Sequence, residues 1–218
     1  MNETIRRQVQ AELGDLIGLL REIPDADWDR PSACDGFRVR DVAGHLSLVL
    51  QPLNGRIAGA FAGSFTRAMR IAGEWSVEYA DQHTPAELID LLEQRKANPK
   101  KGFVGKIDPA PNMLADHATH LLDVRVGLDR RAAPDPERAR AVLDAAVRLW
   151  RPITWGTRER AKGLRLVATD VGWSYGTGPE VSGPYDGLLL ALSGRPAGLP
   201  FLSGDGLATF KQRLPAAG

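Results

Sequence analysis

Asp116, His120 and Asp123 stand at positions i, i+4 and i+7 of one stretch, Asp116-His117-Ala118-Thr119-His120-Leu121-Leu122-Asp123. At about 100° per residue these three side chains form one stripe along a helix. A carboxylate and an imidazole one turn apart can hold the same divalent cation. A third ligand has to come from another helix, and His45, in Asp41-Val42-Ala43-Gly44-His45-Leu46, is the candidate. Helical bundles build metal sites in this way, from a histidine or carboxylate on one helix and an i, i+3 or i, i+4 pair on another.

Each residue also has a plainer reading. A lone histidine at the edge of an apolar face, as His45 is, is commonly a satisfied boundary residue. Asp116 with His120 also fits a solvated i, i+4 pair. His117 lies near the apolar face and makes an i, i+3 pair with His120 that could bind a metal instead. Asp123 either accepts a hydrogen bond from the ring of His120, fixing its tautomer, or serves as an exposed partner for Arg125 and Arg130. Cys34, eleven residues before His45, reads as an inert thiol. Trp28, Trp75, Trp150, Trp155 and Trp173 read as packing.

The elements that must position these residues follow from periodicity. Val9, Leu13, Leu16, Ile17 and Leu20 recur at helical spacing and predict a first helix over residues 3–22, ended by Pro24. Residues 25–38 predict a loop with a turn at Asp35-Gly36. A second helix is expected from Val39 to about Gly59, kinked at Pro52, with Val42, Leu46, Val49 and Leu53 buried. Between Gly63 and Trp75 the pattern blurs. Thr84-Pro85-Ala86-Glu87 predicts an N-cap, a proline at N1 and a capping box. That helix ends near Asn98-Pro99, and residues 100–111 are expected as loop. The stripe helix should run from Pro111 to Leu128, with Leu114, Leu121 and Leu128 as its apolar seam. Asp135-Pro136-Glu137 opens another helix, to about Trp150.

Beyond that the period changes. Leu164 to Thr169 alternates as a strand does, and Gly172 to Gly176 predicts a second strand. Residues 176–179 predict a turn. Pro184 to Ser193 predicts a short apolar helix stopped by Gly194, and a last short helix follows Gly204-Asp205-Gly206. The expected organisation is a helical domain over residues 1–155 and a small α+β module over 160–218. At that size the module is marginal alone and should pack on the helices.

Composition excludes several classes. The 218 residues carry a formal net charge of +1, without the clustered Lys and Arg of a nucleic-acid surface. The basic run from Lys96 to Lys106 sits among Pro and Gly and reads as a solvated loop. A single cysteine precludes a disulfide framework within the chain and makes a cytoplasmic location the default. No stretch approaches the length of a membrane span, and the N-terminus lacks the apolar core of a signal peptide.

Three blocks resemble the mycothiol-dependent maleylpyruvate isomerase family. The first is "DWDRPSACDGFRVRDVAGHL", residues 27–46, similar to that family's Trp, Pro-x-x-Cys-x-Gly-Trp-x-Val-Arg-Asp-Val and His-Leu pattern. The second is "LADHATHLLDVRVGL", residues 114–128, similar to its acid-x-x-x-His-x-x-Asp segment. The third is residues 163–206, with a tryptophan before Gly-x-Gly-Pro, a leucine-rich helix closing on Gly-Arg, and a late Gly-Asp-Gly. Phe37 stands where the family usually has Trp, and Asp116 where it often has Glu.

The resemblance implies a mainly α fold: a DinB-like four-helix bundle followed by the small α+β module. It implies zinc or a similar divalent ion on His45, Asp116 and His120, with His117 left in the core. It further implies that a low-molecular-weight thiol, mycothiol or another, is activated at the open metal position and adds to an acidic or electrophilic substrate, as in an isomerase or transferase. Arg195 is the match to an arginine that would hold a substrate carboxylate. A homodimer is compatible with this reading. The alternative is a non-catalytic metal or small-ligand binding protein on the same bundle.

Overall fold

The computed structural model describes residues 3–51, 55, 65–148 and 156–215. Contacts concentrate within two units, Met1–Ala110 and Pro111–Gly218. The change of hydrophobic period near residues 155–160 falls inside the second unit.

The first unit is helical. Its elements are α1 (Glu3–Glu22), a 3₁₀ turn (Asp25–Asp29), α2 (Val39–Leu48), α3 (Phe65–Asp81), α4 (Pro85–Ala97) and α5 (Gly102–Ile107). The five residues expected on the inner face of α1 are all buried. α4 begins as its sequence dictates: Glu87 N–H donates to Thr84 Oγ1, and Thr84 N–H donates to the Glu87 carboxylate at 2.7 Å. α2 packs against α3 and α4, and α4 packs against α1. α2 is therefore the central helix, and even its polar Asp41 and Ser47 are buried.

α2 is shorter than its apolar pattern suggested. It ends at Leu48, and the N–H groups of Leu50 and Gln51 bond to the carbonyls of Ser47 and Leu48, tightening the last turn. A proline disfavours helical backbone in the residue before it, which accords with a helix that stops ahead of position 52. Pro52, Leu53 and Gly59 themselves lie outside the described residues, as do Trp150 and Trp155. Inside the expected loop of residues 100–111 the chain makes the short helix α5, and the ammonium of Lys100 donates to the carbonyl of Asp108 just past its end.

The second unit opens with α6 (Ala110–Gly127) and α7 (Pro136–Arg148), followed by α8 (Thr157–Ala161). Asp135 caps α7 through Arg138 N–H at 2.8 Å, as its sequence predicts. Three strands follow: β1 (Arg165–Ala168), β2 (Trp173–Tyr175) and β3 (Glu180–Gly183). Then come α9 (Tyr185–Leu192), a 3₁₀ segment (Pro196–Phe201) and α10 (Leu207–Lys211). The sheet order is β2-β1-β3. β1 pairs antiparallel with β2, Leu166 opposite Tyr175, and parallel with β3, Leu166 opposite Val181.

The strands and α9 dock on α7. Trp173 Nε1 donates to Asp144 at 3.0 Å, and Arg140 donates to the carbonyl of Val171 at 2.8 Å. Trp173 is thus a packing residue with its polar edge satisfied, as tryptophans in cores usually are. The fold is mainly helical with a small mixed sheet near its C-terminal end. Among the described residues no helix is long and apolar enough to cross a membrane.

Candidate metal centre

His45 is set by the packing of α2 on α3 within the first unit. A Cβ at Gly44 would stand 2.8 Å from the Ala80 Cβ and 2.9 Å from the Ser76 carbonyl. Only glycine permits that approach, and it brings Ser76 against the neighbouring histidine. Ser76 Oγ gives its hydrogen to the carbonyl of Ala72 at 2.8 Å. Toward His45 it can then only accept, and it does so from Nδ1 at 3.2 Å. The His45 ring consequently carries its hydrogen on Nδ1 and its lone pair on Nε2. Phe37 lies tilted against this ring, with 6.0 Å between centroids.

The loop before α2 is built for this start. Phe37 N–H closes the turn at Asp35-Gly36 onto the Cys34 carbonyl, and Gly36 has a φ of 74°. Asp41 accepts the Arg38 N–H at 2.8 Å, and the guanidinium of Arg38 grips the same carboxylate with Nε and Nη2. That grip holds the Arg38 guanidinium more firmly protonated than usual. Cys34 is half-buried in this turn.

The stripe on α6 is present in the second unit as its spacing predicts. His120 is buried, and its Nδ1 donates to Asp123 Oδ2 at 2.9 Å. In the neutral ring Nε2 then holds the lone pair, and it lies 3.6 Å from Asp116 Oδ1. That is longer than an ordinary hydrogen bond. Two ligands about 2.1 Å from one zinc ion at the tetrahedral angle stand roughly 3.4 Å apart, so the Asp116–His120 spacing fits one edge of such a site. The donor set, a carboxylate oxygen and a neutral imidazole nitrogen, also suits zinc. His117 is buried in the same helix.

Asp123 resolves toward the first of its two expected roles. It is fully buried, and besides His120 it pairs with Arg195, whose Nε donates to Oδ1 at 3.0 Å and Nη2 to Oδ2 at 2.8 Å. Arg125 and Arg130 are not its partners in this network. Burial alone would push the Asp123 carboxyl up. The charge of Arg195 and the hydrogen bond from His120 outweigh it and hold the group below the usual carboxylate range.

Arg195, expected at a substrate carboxylate, thus forks onto a carboxylate of its own chain. Its Nη1 donates further to the Ser193 carbonyl at 2.8 Å. Ser193 is pinned in turn: Thr119 gives its hydrogen to the Ala115 carbonyl and receives that of Ser193 at 3.1 Å. The end of α9 delivers the arginine. Arg195 N–H bonds to the Leu190 carbonyl and Gly194 N–H to that of Ala191, a Schellman ending with Gly194 at φ 86°. Gly194→Ala is expected to cost about 1–2 kcal/mol for the left-handed backbone, seen as a Tm lower by roughly 2–8 °C at this chain length.

Sequence reasoning did not find Ser76, Thr119 or Ser193. Each is a small hydroxyl inside or at the end of a helix, and nothing in residue type marks which carbonyl it bonds.

Residues 9–100 match the family model described as the mycothiol maleylpyruvate isomerase N-terminal domain. The N-terminal region of this chain is similar to that domain. The match contains His45 and stops short of Asp116 and His120. The solved structure of the mycothiol-dependent maleylpyruvate isomerase superimposes with a TM-score of 0.56 at 14% identity, covering 99% of this chain and 95% of that one. A histidine-to-alanine mutant of the same isomerase superimposes with a TM-score of 0.59 at 15% identity and the same coverage. At these identities the likeness is one of fold, and it extends through the C-terminal module that the family model does not cover. No curated protein matches the sequence.

Proposed function

We propose that this chain is a metal-dependent enzyme that uses a low-molecular-weight thiol, an isomerase or transferase of the mycothiol-dependent kind. His45, Asp116 and His120 are its metal ligands, and zinc is the ion their chemistry suits best. The observation that carries this reading is the state of the His120 ring: Nδ1 is committed to a buried carboxylate, and the Nε2 lone pair stands one tetrahedral edge from Asp116. Ser76 prepares His45 in the same tautomer. Two histidines whose Nδ1 atoms are engaged by Ser76 and Asp123, and a carboxylate, make a three-ligand set. Such sets belong to catalytic sites, which keep a position open, rather than to structural sites, which close with a fourth strong ligand.

A divalent ion in such a site supplies Lewis acidity that favours the thiolate form of a thiol. The chain's own share is to hold the ligand rings in the metal-binding tautomer and to keep a counter-charge beside His120. Substrate identity follows from the resemblance alone: a conjugated, electrophilic acid.

The test is metal analysis of the purified protein followed by calorimetry of the zinc-loaded form with mycothiol and other low-molecular-weight thiols. The expected result is about one zinc per chain and saturable thiol binding that needs the metal. Zinc binding without any thiol binding would replace this reading by that of a non-catalytic metal-binding protein.

A further inference from the structure

We infer that Arg195 is a positioning residue for His120, acting through Asp123, so that the C-terminal module sets the state of a ligand ring on α6. The inference rests on the reading of His120 as a ligand through Nε2. It adds that the residue governing this nitrogen, Arg195, lies 72 positions beyond Asp123.

The argument is geometric. Asp123 has two oxygens. Oδ1 accepts Arg195 Nε, while Oδ2 accepts both Arg195 Nη2 and His120 Nδ1. A fork of two parallel N–H···O bonds fixes the plane of the carboxylate as well as its place. With that plane fixed, Oδ2 is aimed at Nδ1. Without the fork the carboxylate could turn about its last bond, and a buried anion would be left with no cation opposite it. The ring would then lose the partner that selects its tautomer.

Arg195 is itself immobilised. Its third nitrogen bonds to the Ser193 carbonyl, Ser193 is tied to Thr119 on α6, and the Schellman ending of α9 fixes the backbone on either side. Its side chain is only 13% exposed. This is the construction of an arginine that braces something in its own chain. An arginine waiting for a substrate carboxylate would present its fork to the open side of the site. Partners at this remove from a metal are commonly worth 10–100-fold in metal affinity.

The experiment compares the wild type with Arg195→Met and Arg195→Lys. In the metal-free proteins, ¹⁵N NMR of the histidine rings reads the tautomer of His120, with His45 as an internal reference because Ser76 sets it separately. Zinc affinity is measured on the same samples by competition with a chromophoric chelator. The expected result is a single Nδ1–H tautomer of His120 in the wild type and a mixture in Arg195→Met, with His45 unchanged. Zinc should bind 10–100-fold more weakly in Arg195→Met and to an intermediate degree in Arg195→Lys, which keeps the charge but not the fork. A destabilised but otherwise normal site would not move one ring's tautomer selectively. If Arg195→Met keeps both the wild-type tautomer and the wild-type zinc affinity, the inference is overturned and the arginine is left for a substrate. If the wild type binds no zinc, the proposed function fails, and the tautomer comparison in metal-free protein still decides the role of Arg195. Should Arg195→Met not fold, Arg195→Lys carries the comparison, with partial loss of the single tautomer as the supporting outcome and full retention as the overturning one.

Discussion

Asp123→Ala is expected to lower the stability of the fold by about 3–5 kcal/mol, far beyond the effect of an exposed ion pair. The carboxylate is wholly buried and receives three hydrogen bonds, two from Arg195 and one from His120. Removing it strands a guanidinium that is 13% exposed and that cannot shed its proton. Asp123→Asn should cost less, because one amide oxygen can still accept. The pH dependence follows from the depressed acidity of Asp123. In acid the unfolded chain takes up a proton at this residue, at about pH 3.9, before the folded chain does. Stability therefore rises with pH through that interval, is complete above about pH 4, and is lost as pH falls toward the folded value. Urea unfolding from pH 7 down to pH 3 should show this acid loss in the wild type and a flatter limb in Asp123→Asn. A loss below about 1 kcal/mol in Asp123→Ala would mean that the pair behaves as a surface pair does.

Much of this was legible in the sequence, for stated reasons. The caps of α4 and α7 are local, so Thr84-Pro85-Ala86-Glu87 and Asp135-Pro136-Glu137 specify where each helix begins. The stripe of Asp116, His120 and Asp123 is set by helical pitch alone, and the bond from His120 to Asp123 follows from it. What spacing cannot reveal is pairing across long separations. Arg195 was singled out as a cation for substrate, yet nothing in the intervening residues points its fork at Asp123. The pattern of α3 blurs because three of its four buried residues among those described, Ala68, Ser76 and Ala80, are small, and Tyr79 is the fourth. Small residues are what the close approach of α2 requires, and they carry almost no hydrophobic signal. β3 was missed because one buried residue, Val181, between Pro179 and Pro184 is all the alternation it has. Its register is supplied by the parallel neighbour β1.

His120→Ala and His117→Ala make the sharpest contrast available on α6. Both rings are buried in the same helix, so both substitutions empty a comparable volume and should destabilise to a similar degree. Their effects on metal should differ widely. In His120→Ala the Nε2 lone pair beside Asp116 is gone, and two of the three proposed ligands remain. Structural zinc sites with four ligands bind with about 10–16 kcal/mol, or roughly 2.5–4 kcal/mol per ligand. Losing one is then worth about 10²–10³-fold in affinity, enough to leave the protein without zinc at micromolar concentrations. Thiol-dependent turnover should disappear with it. His117→Ala should keep zinc within a few-fold of the wild type, because the tautomer-setting bond and the tetrahedral spacing both belong to His120. Metal content after dialysis, compared with the midpoint of urea unfolding for each variant, separates loss of a ligand from loss of fold. The reverse pattern, zinc lost in His117→Ala and retained in His120→Ala, would remove His120 from the ligand set and put His117 in its place.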